Sequence, residues 1–156
     1  MSFVDAIKEK ARNSIKTIVL PESTDIRVLE AARKVTDEGF AKVVLVGDRK
    51  ELENIAGNID ISDIKVINPT ESEKFEEYAN AFYELRKAKG MTLEKAHETL
   101  KHNIYFGTMM VKQGDADGLV AGSVCSTADT LRPALQILKT APGVKLVSSF
   151  FIMNVP

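Results

Sequence analysis

The chain has little cysteine: Cys125 is the single one in 156 residues. An internal disulfide and a zinc site built from several cysteines are therefore excluded. Together with the lack of a signal peptide, this points to a reducing cytoplasm. Charge of either sign is not in excess, with 21 Lys and Arg against 22 Asp and Glu and a net charge of −1. That balance gives no broad basic footprint of the kind nucleic-acid binders carry. It leaves room for a few arginines gathered around a small anion, because net charge carries no information about distribution. Long hydrophobic runs are also missing. The most apolar stretch, Val147 to Val155, is interrupted by Ser148, Ser149 and Asn154. It falls well short of the about 18 apolar residues that span a bilayer, so a buried strand is expected there and no membrane partner.

Two nucleotide-binding signatures are absent as well. No GxGxxG follows a strand and no GxxxxGK[ST] occurs, which counts against a dinucleotide fingerprint and a P-loop. His97 and His102 fall on polar helical stretches without a metal-ligand companion, so no metal site is expected. Cys125 has no histidine near it in sequence, and lone cysteines are mostly buried and inert. No internal repeat, low-complexity tract or linker interrupts the chain.

What is present is the composition of an ordinary globular domain, 44% hydrophobic and 28% charged, at a length that supports one full core. Phe3, Val4, Ile7 and Ala11 have helical spacing. Thr17 to Leu20 is a β-branched apolar run that stops at Pro21. A helix from about Asp25 to Glu38 follows, with Ser23 or Thr24 as its cap and Gly39 as its end. Lys42 to Val46 reads as the next strand, Gly47-Asp48 turns into a short helix, and Ile64 to Ile67 repeats the strand pattern. Thr70 with Glu73 fits a capping box ahead of a long helix reaching about Lys89, closed by Gly90. Thr92 to Lys101 and Asn103 to Gln113 read as two more helices, and Gly118 to Ala121 as a strand. Apolar strands alternating with amphipathic helices predict an α/β fold with a largely parallel sheet covered by helices on both faces. Residues 1–145 are expected to form this α/β domain, and 146–156 a first strand toward a second one. A chain stopping among apolar residues points to a piece of something longer.

The chemistry-bearing segment is Asp117 to Pro133. A strand ends near Gly122, a helix continues from about Thr130 to Leu138, and Ser123, Ser126, Thr127 and Thr130 crowd between them. In open α/β sheets ligands bind outside the carboxyl ends of strands, and free amides at a helix start favour anions. Pro133 is acceptable in a first helical turn but disruptive further in, which predicts a helix start close to Arg132 and a guanidinium beside its positive end. A site for phosphate or an acyl phosphate follows. The alternative is that Ser126 and Asp129 form a capping box, with Arg132 in a solvated ion pair. Arg86, in Leu85-Arg-Lys-Ala-Lys89, reads from the local pattern as a basic helix end that favours the dipole.

Several separated segments resemble the phosphate acetyltransferase family. Ser126-Thr-Ala-Asp-Thr-Leu-Arg-Pro-Ala-Leu-Gln136, preceded by Asp117-Gly-Leu-Val-Ala-Gly122, is similar to its signature stretch. Leu20-Pro-Glu-Ser-Thr-Asp-Ile-Arg27, Phe82-Tyr-Glu-Leu-Arg-Lys87 with Gly90-Met-Thr92, and Ser148-Ser-Phe-Phe-Ile-Met153 resemble further parts in the right order. The resemblance implies a three-layer αβα domain within a two-domain phosphotransacetylase-like fold, akin to isopropylmalate dehydrogenases, about twice this length. It implies a cleft between domains, where the thiol of coenzyme A attacks acetyl phosphate without a metal or further cofactor. A homodimer is implied for the full-length protein. Arg132 is implied as a catalytic residue at the substrate-anion end and Arg86 as a contact for a coenzyme A phosphate. Ser126, Thr127 and Thr130 are placed as substrate-binding by position. The base and its serine and arginine neighbours are implied in the second half, so this chain alone is expected to be inactive. Phosphate butyryltransferase is the enzymatic alternative. A non-catalytic module, like the domain fused to some malic enzymes, is the other, and an intact second half would distinguish catalysis from regulation.

Overall fold

Val43, Val44, Leu45 and Val46 are all buried, as a strand must be when helices cover both of its faces. They lie in β2 (Lys42–Val46), which pairs in parallel with β1 (Thr17–Leu20) on one side and β3 (Lys65–Ile67) on the other; β1 pairs in parallel with β4 (Gly118–Leu119). The sheet order is β3-β2-β1-β4. The computed structural model describes residues 2–150, 152 and 153.

Side chains alternate across the sheet, and two cores result. Val43 and Leu45 pack with Leu29, Ala32, Leu52 and Ala56 of α2 (Ile26–Glu38) and α3 (Arg49–Ala56). Val19, Val44 and Val46 face the other way, onto Tyr78 and Phe82 of α4 (Phe75–Arg86), Leu100 of α5 (Leu93–Leu100), Phe106 and Met109 of α6 (Asn103–Gln113) and Ile137 of α7 (Thr127–Ile137). This is the expected three-layer αβα arrangement. Helix α1 (Phe3–Arg12) carries the expected apolar stripe, but Phe3, Val4 and Ile7 are exposed; Lys8 joins it to α2 through Glu38, Nζ to Oε2 2.5 Å.

Several local expectations are corrected. Asp25 caps α2 by accepting from the Arg27 amide, because Ser23 is buried elsewhere: its hydroxyl donates to the Leu20 carbonyl and accepts from the Val46 amide. Thr70 and Glu73 form no capping box. Asn68 caps a single 3-10 turn at Pro69–Glu71 instead, and α4 starts at Phe75 without a side-chain cap. Beyond Arg86 the long helix tightens into a 3-10 turn, Lys87–Lys89, ended by Gly90 at φ 81°. Residues 144–150, 152 and 153 join no strand, and Leu146, Phe150 and Met153 are exposed. An extended segment with no neighbour leaves its ladder groups unpaired, so it is not held as a strand. The remainder of that expected strand, Phe151 and Asn154 to Pro156, lies outside the described residues.

Candidate functional site

The strand order places a topological switch point between β1 and β4. From β1 the chain winds outward through β2 and β3, then returns by α4, α5 and α6 to the other side of β1. Ligands in such sheets bind at the carboxyl ends of the strands flanking this point. Here that place is a crevice of about 370 Å³, walled by Pro21 and Glu22 after β1, Val124 and Cys125 after β4, and His102 and Asn103 at the start of α6. A cavity of similar size, about 390 Å³, lies at the opposite end of the sheet near Thr17, Lys42 and Asp115. Neither cavity is lined by Arg86, Ser126, Thr127, Thr130 or Arg132, but the crevice lies at the carboxyl ends of the strands and the other cavity does not.

Glu22 closes the floor of the crevice. Its Oε2 accepts from the amides of Gly122 (2.6 Å) and Ser123 (2.8 Å), and its Oε1 from those of Val124 (2.8 Å) and Cys125 (2.6 Å). Burial alone would push this carboxyl upward, but the four amides outweigh it and bring it down to about 2. Asp25 adds a second tie, accepting from the Ser123 hydroxyl at 2.5 Å, while Arg27 donates to the Ser123 carbonyl at 3.2 Å. The Arg27 guanidinium and then the Ser123 hydroxyl hold Asp25 far below the usual carboxylate range.

Helix α7 starts earlier than the proline predicts. Ser126 caps it, accepting from the Asp129 amide at 3.2 Å and donating to Asp129 Oδ2 at 2.7 Å. Thr127 is its first residue, and Pro133 sits inside it with a buried ring. Arg132 is thus in the second turn rather than at the start, where it pairs with Asp129 at 3.1 Å on an exposed surface. The corrected start has a physical reason. A good cap offsets much of the one backbone bond that Pro133 cannot make, and burial of the ring adds to it. The hydroxyls divide accordingly. Ser126 is committed to the cap, Thr127 is exposed at the first turn, and Thr130 points inward with its Oγ1 buried and unpartnered by protein.

The charges of the two arginines, 46 positions apart in sequence, are both felt at Tyr105 on α6. The ring of Tyr105 lies 5.8 Å from that of Phe82, and its hydroxyl donates to Gln136 Oε1 at 3.2 Å. Arg86 is one helical turn beyond Phe82, and Arg132 one turn before Gln136, so both project from the faces that meet Tyr105. Burial raises the Tyr105 phenol, and the positive charges of Arg132 and Arg86 pull against it. The Nε of Arg86 is buried without a protein partner. Arg86, Arg132 and the positive end of α7 are each able to hold anionic oxygens, while the Thr130 hydroxyl is buried. Tyr105, Gln136 and Glu22 were not singled out from sequence. The quoted Leu20-to-Arg27 stretch contains Glu22, but its partners lie a hundred residues away.

The remaining candidates stay apart from this wall. Cys125 is half-buried, and burial followed by the neighbouring Glu22 carboxylate pushes its thiol up. His97 contacts Glu76 at 2.9 Å through Nε2, at the α4–α5 seam. Among the described residues no three His, Cys, Asp or Glu side chains group closely enough to hold a metal ion, and no helix is long and apolar enough to cross a membrane.

A family model described as phosphate acetyl/butaryl transferase matches residues 2–156. The chain is 61% identical over its whole length to phosphate acetyltransferase of Acetivibrio thermocellus, covering 47% of that protein. It is 60% identical to phosphate acetyltransferase of Thermoanaerobacterium thermosaccharolyticum, covering 48%. The fold matches the EutD phosphotransacetylase from Staphylococcus aureus with a TM-score of 0.85 at 45% identity, over 92% of this chain and 44% of that one. A phosphotransacetylase from Streptococcus pyogenes matches at 0.87 and 41% identity, over 94% and 46%. The chain spans about half the length of each of these relatives.

Proposed function

The chain belongs to the phosphate acetyl/butaryl transferase family, and we propose that it forms one wall of the site of a phosphate acetyltransferase, converting acetyl-CoA and phosphate to coenzyme A and acetyl phosphate and back. The observation that carries this reading is the family match over residues 2–156, and the positive charges of Arg86 and Arg132, both felt at Tyr105, agree with it. Acetyl phosphate and coenzyme A both bring phosphate oxygens, and two guanidiniums on one wall suit two such groups. In the direction of thioester formation, the coenzyme A sulfur bonds to the acetyl carbon, the carbon–oxygen bond to phosphate breaks, and phosphate leaves with the electron pair. Arg132 steadies the phosphate that departs with charge on it. Arg86 anchors a phosphate of coenzyme A, and Thr130 supplies a hydroxyl from the inner face of α7. The thiol proton passes to a base supplied by the second half of the full-length protein. No metal or cofactor beyond coenzyme A as substrate takes part. The full-length protein is a cytoplasmic homodimer in this reading.

The test is steady-state kinetics on a full-length enzyme carrying this sequence, with Arg132→Ala and Arg86→Ala. Loss of a charge-assisted contact costs about 1.5–3 kcal/mol, roughly ten- to a hundredfold. For Arg132→Ala that loss should fall on kcat and on kcat/KM for acetyl phosphate. For Arg86→Ala it should fall mainly on KM for coenzyme A. Folded variants with unaltered constants would leave Ser126, Asp129 and Arg132 as a helix cap and a solvated ion pair.

A further inference from the structure

The loop from Gly122 to Cys125 directs four consecutive amides at one point, a geometry that binds anions. At the switch point of a doubly wound sheet a substrate anion would ordinarily be expected there. The position is already taken, because the Glu22 carboxylate receives all four amides and is 8% exposed. Ser123 is further tied to Asp25 and Arg27. Immediately after this loop comes Ser126, the cap of α7, with Thr130 one turn later on the inner face and Arg132 in the second turn. The loop sets where α7 begins, and α7 sets where Arg132 reaches.

We propose that Glu22 is a positioning residue: a built-in anion that fills the amide nest of the β4–α7 loop, fixes the start of α7, and thereby directs the substrate phosphate to Arg132 instead of to the loop amides. The inference rests on the functional reading above. Glu22 touches no reacting atom. Its carboxylate satisfies four donors that would otherwise be left in a half-closed crevice, and no neutral side chain matches it. Glutamine at this position would present an amide donor to two backbone donors. Alanine would leave an open, carboxylate-sized nest.

Three measurements decide it. In the unaltered protein, hydrogen exchange at Gly122 to Cys125 should be slowed by at least about a hundredfold relative to unprotected amides; exchange at the rate of a free loop would overturn the proposal, whether or not any variant folds or the protein transfers acetyl groups. In the full-length enzyme, Glu22→Gln should lower kcat/KM for acetyl phosphate about ten- to a hundredfold with KM for coenzyme A changed less than about twofold, since Arg86 stands on α4. Equal losses toward both substrates, or no loss in a folded variant, would overturn it. Glu22→Ala should lose activity similarly and regain several-fold of it with millimolar formate, which the unaltered enzyme ignores. A loss that formate leaves untouched in folded Glu22→Ala would mean that the nest needs more than an anion. That also counts against the proposal. If the unaltered enzyme forms no thioester, the functional reading fails, and the exchange measurement still judges the clamp.

Discussion

Glu22 ties a residue-scale pH dependence to the loop it holds. Its carboxyl is brought to about 2 from an ordinary 4.5 because burial, which opposes ionisation, is outweighed by four amides that favour the charged form. A lowered carboxyl contributes stability that is present above the unfolded value and lost as pH falls through the folded one. The stability gap between the unaltered protein and Glu22→Gln should therefore be widest above pH 4.5 and close as pH drops toward 2. Urea unfolding across that range is the check, and a gap independent of pH would show that the loss is steric. Cys125 lies beside the same carboxylate, with burial as the larger reason that its thiol is raised. Less thiolate than usual at neutral pH means a poor nucleophile. Cys125→Ala should keep acetyl transfer within about twofold, and a severe loss in a folded variant would restore a covalent role. Neither environment could be read from sequence, because Glu22 meets its partners across a hundred positions. Arg86 shows the same limit. Its local pattern is that of any basic helix end, and only the family resemblance distinguishes it.

Helices and strands were far more legible than side-chain environments, since hydrophobic spacing and caps act within a few residues. Asn103–Gln113 emerged with both expected ends, because Gly114 takes the left-handed conformation at φ 83° that stops a helix. The start of α7 differs from the expected one for an equally local reason. Pro133 favours a start near Arg132 and the Ser126–Asp129 pair an earlier one, and the buried ring that makes the proline tolerable inside the helix is a tertiary fact. One helix contact is unusually close. A Cβ on Gly107 would lie 2.9 Å from Val19 Cγ1 and 3.1 Å from Leu119 Cδ1, both on stiffly packed strands. Glycine there lets α6 settle onto β1 and β4 directly beneath the crevice. Gly107→Ala should destabilise the fold by about 1–3 kcal/mol from overpacking, less up to about 1 kcal/mol of helix propensity regained. Thermal unfolding measures the balance, and a stabilised variant would mean that α6 can lift away without cost.

On the scale of the whole molecule, the αβα layering followed from alternating apolar strands and amphipathic helices, which is a global consequence of a local pattern. Described residues 146–150, 152 and 153 join no strand, because a strand exists only with a neighbour. Leu146, Phe150 and Met153 are exposed there, and Val120 and Val124 beside the crevice are exposed as well. The relatives are about twice as long, and in the proposed enzyme the second half supplies the base and the facing wall. Groups on one wall bind anions but cannot orient a thiol against a carbonyl carbon, an effect worth up to about 7–11 kcal/mol in favourable cases. The most direct measurement is thioester formation from acetyl phosphate and coenzyme A by the purified 156-residue chain beside a full-length enzyme carrying it. The expected result is turnover by the full-length protein and none by the chain alone, with weak coenzyme A binding retained by the chain and diminished by Arg86→Ala. Comparable turnover by the chain alone would contradict the one-wall account and place the reacting groups within these 156 residues.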